Sequence, residues 1–413
     1  MRADLDRLMQ EANLDAVIVL GDETPNTFRD YLTKRAKAGG IVIKKRGEMP
    51  ILLVGQMELD EAAKSGLKVM SVNELDFASI LRQFQGDRAA ARREMFLAIF
   101  RKLNISGRVG FYGAVEVTPL IANILALQDS NLPIEIALDQ PAITLFDKMY
   151  ETKDAEEIAA LREAGRLTSE VVRRTWQFLS NHYASSDEVG APVMDEHGKA
   201  LTIGMVRRYI QSQEQELGLE DHEGFIFAQG RDAGMPHSVG EDTDILQVGR
   251  SIVFDIFPKG AQSGYFHDMT RTWCLGRAAP EVQAAYDDVM AIFHKVMETL
   301  QVGEPTNKYQ KMTLDYFEER GHPTQRSQPG TMNGYVHSLG HGIGLNVHEA
   351  PGFGEFSASI IQAGSVFTVE PGLYYPERGY GVRVEDSVYF DESGTLHRLT
   401  DFRYDLVVPL KHR

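Results

Sequence analysis

HSLGHGIGLNVHE, residues 337–349, packs three of the chain's twelve histidines into thirteen positions. Around it stand SIVFDIFPKG (251–260), GYFHDMTRTW (264–273), VFTVEPGLYY (366–375) and GYGVRVEDSVYF (379–390). Each sets a carboxylate in a strand-like run: Asp255, Asp268, Glu370 and Glu385. An unpaired carboxylate inside IVFDIF would be costly, so a bland surface reading fits Asp255 poorly. With His341 the set is four carboxylates and one imidazole. Structural zinc sites use thiolate and imidazole; this much oxygen suits harder divalent ions such as Mn²⁺ or Co²⁺. Carboxylates can also bridge two metals about 3.5–4 Å apart, a pair that makes water nucleophilic at neutral pH.

Working outward, the runs SIVFDIF, FHDMTRTWCL, SVFTVEPGLYY and GYGVRVEDSVYF are long and partly alternating, which predicts a curved, mainly antiparallel sheet covered by helices. The helices are expected at 199–216, 281–300 and 306–320, the last ending at Gly321. Before them, Asp154 and Glu157 form a D-x-x-E capping box that opens a long helix. Its apolar stripe runs through Ile158, Leu161, Ala164, Leu167, Val171, Val172, Trp176 and Leu179, with Gly165 weakening its middle. SQPGTMNG (327–334) reads as a loop leading to the histidines.

A boundary falls near 145–153. Residues 1–150 alternate short apolar runs (14–20, 41–43, 50–54, 107–113) with helical patterns (88–103, 118–128), which predicts an α/β domain around a mostly parallel sheet. Residues 151–413 form the second domain, of α+β type.

The net charge of −16 lies almost wholly in the second domain, which carries 39 Asp/Glu against 24 Lys/Arg, where the first carries 20 against 19. That balance argues against nucleic acid as a partner. All twelve histidines lie at or after position 182, so the chemistry is expected in the second domain. No run approaches the roughly 20 apolar residues of a membrane helix. The charged N-terminus lacks a secretory apolar stretch. The single cysteine, Cys274, reads as a core residue and fits a reducing cytoplasm.

The ordered set FDIF, GYFHDMTRT, HSLGHGIGLNVHE, TVEPGLYY and RVEDS resembles the metallopeptidases with the pita-bread fold. These include methionine aminopeptidase, Xaa-Pro aminopeptidase and Xaa-Pro dipeptidase (prolidase). The N-terminal domain resembles that of the proline-directed members and creatinase. The resemblance implies two divalent metal ions per subunit, Mn²⁺ foremost with Co²⁺ or Zn²⁺ as alternatives. It makes Asp255 a bidentate ligand, Asp268 and Glu385 bridges, His341 a ligand of one metal, and Glu370 both a ligand and a general base. His337 would bond the substrate carbonyl or the oxyanion. His348 would assist the leaving or carbonyl group, and His237 would line the pocket. Arg383 would support the metal shell or the substrate carboxylate. The implied reaction is hydrolysis between an N-terminal residue and a following proline by metal-activated water. Xaa-Pro aminopeptidase is favoured and Xaa-Pro dipeptidase is the alternative. Partners would be a peptide or dipeptide with proline second, and a second copy of the chain in a homodimer. A creatinase-type hydrolase and a non-catalytic binding protein on the same fold are disfavoured by the intact ligand set.

Three features depart from the family pattern. Asp255 and Asp268 stand thirteen apart, wider than usual, with the extra residues in PKGAQSG (258–264) as a longer hairpin. His267 occupies a place where a small residue is usual and should point away from Asp268. TQRSQPGTMNG lengthens the approach to His337 as a pocket wall. The glycines of HGIGLNVH could suggest a phosphate loop, but they lack a strand–loop–helix context and can instead bring the chain close to the metals. His182, His197, His222, His294, His322, His397 and His412 read as surface or packing residues.

Overall fold

Alternation along the strand Ser251–Ile256 separates two faces. Ile252, Phe254 and Ile256 enter a core with Trp176, Phe227, Trp273 and Leu275, which leaves Ser251, Val253 and Asp255 on the other side. The computed structural model describes residues 2–21, 26–85, 87–139 and 143–411; His412 lies outside them. The neighbouring strand Met269–Leu275 runs antiparallel, with Asp255 opposite Thr270. The wider aspartate spacing is thus absorbed between the strands, where Lys259–Gly260 pairs with Leu219–Glu220. Ile226–Gln229 and Val407–Val408 complete a four-stranded sheet. Helices Ala155–Ser180 and Ile203–Leu217 supply Val171, Val172, Trp176, Val206 and Ile210 to its core.

A second core gathers helices Pro280–Thr299 and Thr306–Glu319 over two antiparallel sets. One set is Val366–Val369, Asp386–Phe390 and Leu396–Arg398; the other is the hairpin Gly372–Tyr375 with Tyr380–Arg383. The two layers are joined by an isolated bridge, Thr270 to Glu385. Thr272 adds to it, its hydroxyl accepting from Arg383 N and donating to Arg383 O, both at 2.9 Å.

The chain divides into two units, Met1–Met149 and Tyr150–Arg413. In the first, six strands stand in the order Lys68–Ser71, Ile51–Val54, Ile41–Lys45, Ala16–Leu20, Gly107–Gly113 and Ile134–Ala137. Parallel pairs outnumber antiparallel ones only three to two. The five residues between Lys45 and Ile51 are too few for a crossover, so those strands turn back as a hairpin.

The long helix opens on the expected reciprocal cap: Asp154 accepts from Glu157 N, and Glu157 accepts from Asp154 N. The helix expected at 199–216 begins at Ile203. Ala200 and Leu201 instead pair with Met194 and Val193, and the Thr202 side chain caps Met205 N. Gly165 is explained by its neighbours, because a Cβ there would lie 2.6 Å from Leu399 O and 3.1 Å from His267 Nδ1. Cys274 is buried in the second core, and burial pushes its thiol up to about 12. Among the described residues no helix is long and apolar enough to cross a membrane.

Candidate metal centre

The face of Ser251–Ile256 that is turned away from the core carries Asp255, and the adjoining strand contributes Thr270. Of the five expected ligands only Asp255 lies within a regular strand. Asp268 immediately precedes Met269–Leu275, Glu370 falls between Val366–Val369 and Gly372–Tyr375, and Glu385 lies between Tyr380–Arg383 and Asp386–Phe390. The expectation of four ligands on strands is thereby corrected to one on a strand and three at strand ends. Glu385 is held there by its isolated bridge to Thr270, and Glu370 by its N–H to Leu339 O.

Asp268, His341 and Glu385 each offer a ligand atom, all within 4.8 Å of one another. His341 Nε2 lies 3.7 Å from Asp268 Oδ2 and 3.4 Å from Glu370 Oε1. His341 Nδ1 is 3.0 Å from Gly342 O, an acceptor only, so Nδ1 carries the proton and the Nε2 lone pair faces the carboxylates. Lone pair against carboxylate is repulsive unless a cation lies between. Asp255 Oδ1, Asp268 Oδ1 and Glu385 Oε1 are buried with no hydrogen-bond partner among the described residues. Buried acceptors left unpaired are rare and call for an explanation such as an ion. The donor set therefore fits divalent cations.

Electrostatics agrees. Burial first, then the charges of Glu385, Asp255 and Glu370, push the Asp268 carboxyl far above its usual range. Glu385 is raised by burial and by Glu370 and Asp255. Glu370 is pushed up to about 8 by burial, with Arg383 opposing. Burial lowers His341 and so favours the neutral, ligating form.

Arg383 is almost fully buried. It donates to Asp255 Oδ2, Thr270 Oγ1 and the Tyr374 hydroxyl at 2.5, 3.1 and 2.7 Å. Thr270 in turn donates to Glu385 Oε2 at 2.8 Å. Tyr374, accepting the Arg383 hydrogen bond on its oxygen, has its own O–H left to donate to His337 Nε2 at 2.8 Å. His337 Nδ1 then donates to Ser338 O, also at 2.8 Å. Both nitrogens of His337 are engaged, and burial followed by Arg383 lowers its affinity for a proton. His348 differs: its ring is exposed, lies 4.4 Å from that of His341, and has no hydrogen-bond partner among the described residues. His237 is exposed and close enough that its charge disfavours protonation of His337 and His348.

The glycines of 340–344 bring the chain against neighbouring backbone. A Cβ at Gly340 would lie 2.0 Å from Thr368 O, and one at Gly342 would lie 2.1 Å from Ala350 O. This closeness lets Thr368 N donate to His341 O and Glu370 N to Leu339 O, both at 2.8 Å, aligning His341 with Glu370. His267 points away as expected, fully buried with Nε2 3.2 Å from Thr400 Oγ1. His182, His322 and His397 bond Phe178 O, Tyr375 with Asp288, and Asp391. Sequence reading missed Tyr374, Thr270 and Thr368; the alternation in DMTRTW and FTVEPGLYY places each on the same face as a recognised ligand.

Residues 159–392 match metallopeptidase family M24, and the chain belongs to that family. It is 24% identical to an Xaa-Pro dipeptidase of Pyrococcus horikoshii, over 97% of this chain and 96% of that one. An uncharacterized peptidase of Bacillus subtilis, YqhT, is 29% identical over 62% of this chain, a match spanning 64% of that relative's own length. Among solved structures, an Xaa-Pro dipeptidase from Bacillus anthracis superposes with a TM-score of 0.75 at 20% identity, covering 99% of each chain. An X-Pro aminopeptidase from Thermotoga maritima gives 0.73 at 20% identity, covering 97% of this chain and 99% of that one. The pita-bread fold, with an α/β unit before a mainly antiparallel second unit, is shared with these neighbours.

Proposed function

We propose that this chain is a metal-dependent exopeptidase that hydrolyses the bond between an N-terminal residue and proline, with Asp255, Asp268, His341, Glu370 and Glu385 holding two divalent cations. The observation that supports this reading is the gathering of Asp268, His341 and Glu385, with Glu370 beside His341, where the buried oxygens Asp255 Oδ1, Asp268 Oδ1 and Glu385 Oε1 lack partners among the described residues. Cations bound there, Mn²⁺ foremost, supply polarisation of the scissile carbonyl and acidification of the attacking water. Glu370, 3.4 Å from His341 Nε2, takes the proton from that water. His348, unpartnered and exposed beside His341, donates to the carbonyl or to the departing proline nitrogen. His337, with both nitrogens engaged, serves by fixing Tyr374 and through it Arg383. Arg383 spends its guanidinium on Asp255, Tyr374 and Thr270, which favours support of the ligands over contact with substrate. His237 lines the pocket. The enzyme would act in the cytoplasm as a homodimer.

Sequence reading favours aminopeptidase action on longer peptides. The dipeptidase reading is at least as well supported, since the relative matched along nearly the whole chain is named an Xaa-Pro dipeptidase. Product release from an Xaa-Pro dipeptide and a matched Xaa-Pro-Yaa tripeptide, with Mn²⁺ supplied, separates the two. Free Xaa from the tripeptide makes it an aminopeptidase, and turnover of the dipeptide alone makes it a prolidase. Turnover of neither would overturn the reading.

A further inference from the structure

His348 stands at the end of a closed loop. Gly342 N donates to Glu349 O at 3.0 Å and Glu349 N to Gly342 O at 2.7 Å, so residues 342–349 are pinned at their base. The inside of the loop is filled by the Glu349 carboxylate. One of its oxygens accepts from Asn346 N and Nδ2 at 3.0 and 3.2 Å. The other accepts from Lys153 Nζ at 2.8 Å. A Cβ at Gly344 would lie 2.3 Å from that second oxygen, so only glycine lets the loop close around it. The two side chains are 2% and 1% exposed. Lys153 is itself held at both ends: Nζ also donates to Tyr150 O at 2.6 Å, and its backbone N to Gly364 O at 2.8 Å. A buried ion pair inside a loop of glycines and turns fixes shape, because neither charge can move without leaving the other buried and without its counter-charge.

We propose that the buried Lys153–Glu349 pair is the positioning device for His348, setting where that imidazole stands beside His341. This rests on the peptidase reading above. It makes Lys153, at the foot of the long helix, a determinant of the reaction although it touches no substrate.

The test uses the full chain with Lys153→Met, His348→Ala and their combination. Lys153→Met is expected to lower kcat by about 10–100-fold, as loss of an outer supporting partner does, with bound metal per chain unchanged. In the His348→Ala background it is expected to add nothing, since both changes then remove one function. In metal-free protein, the carbon-bound ring protons of His348 are expected to shift in Lys153→Met while those of His237 stay. Multiplying activity losses, a fall in bound metal, or unmoved His348 signals in a folded variant would each overturn the proposal. Should Lys153→Met fail to fold, Glu349→Gln takes its place with the same readouts. A wild type without peptidase activity would sink the peptidase reading, while the ring-proton comparison would still decide the positioning.

Discussion

Arg383 holds Asp255 by one oxygen only: Nη2 donates to Oδ2 at 2.5 Å, while Oδ1 is buried without a partner among the described residues. The guanidinium thus fixes the carboxylate plane and leaves one oxygen aimed at the centre. Lysine keeps the charge but loses the fork. Arg383→Lys should lower kcat/KM by about 10–100-fold and weaken metal retention by a similar factor. Activity assays and metal content after dialysis against a graded chelator check both. Full activity with normal metal would mean that the fork is dispensable.

Tyr374 passes this fixation on to His337. Tyr374→Phe removes the acceptor for Arg383 and the donor to His337 together. It should cut kcat by about 10–100-fold with little change in KM, because the hydroxyl orients supporting groups without holding substrate. A pure KM effect would instead place the hydroxyl against substrate.

Asp268 faces Glu385, Asp255 and Glu370 in a buried setting. Asp268→Ala should abolish hydrolysis while leaving the fold intact, as circular dichroism would report. Removing one of four mutually repelling carboxylates should also leave the metal-free chain no less thermostable. Activity retained by this variant, or by a metal-free preparation, contradicts the metal-dependent mechanism.

Glu214, away from the centre on Ile203–Leu217, is 3% exposed and has one carboxylate oxygen without a partner among the described residues. Burial, aided by Asp221, raises its carboxyl to about 8. The folded state therefore holds a proton that the unfolded chain releases at ordinary carboxylate pH, so the contribution of Glu214 to stability is greatest at low pH and is lost as pH rises toward 8. Glu214→Gln should gain on wild type by about 4 kcal/mol between pH 5 and pH 9. Denaturant melts at the two pH values measure it. A constant difference across that range refutes the assignment.

The five proposed ligands stand out in the sequence because each sits as a charged or ligating residue within or beside an apolar run, and chemistry limits what such residues do. Their supporting partners do not. Thr270, Thr368 and Tyr374 are ordinary strand formers; alternation puts each on the face of a proposed ligand, but only the folded structure shows that their hydroxyls reach Glu385, Glu370 and Arg383. Lys153 looks like one more charge before a helix, and its burial follows from a loop nearly two hundred positions later. In the first unit the antiparallel turn from Ile41–Lys45 to Ile51–Val54 was hidden because apolar runs do not state their direction. Gly165 read as a helix flaw, because its reason, His267 and Leu399, belongs to other segments.

The seam between Thr270 and Glu385 spans 115 residues of chain. Nothing synthesised before Glu385 can complete the proposed ligand set, so an emerging polypeptide has no full cation cradle until that segment has left the ribosome. On the proposed metal reading, cation capture then waits for that segment, and products truncated before Glu385 lack the full cradle.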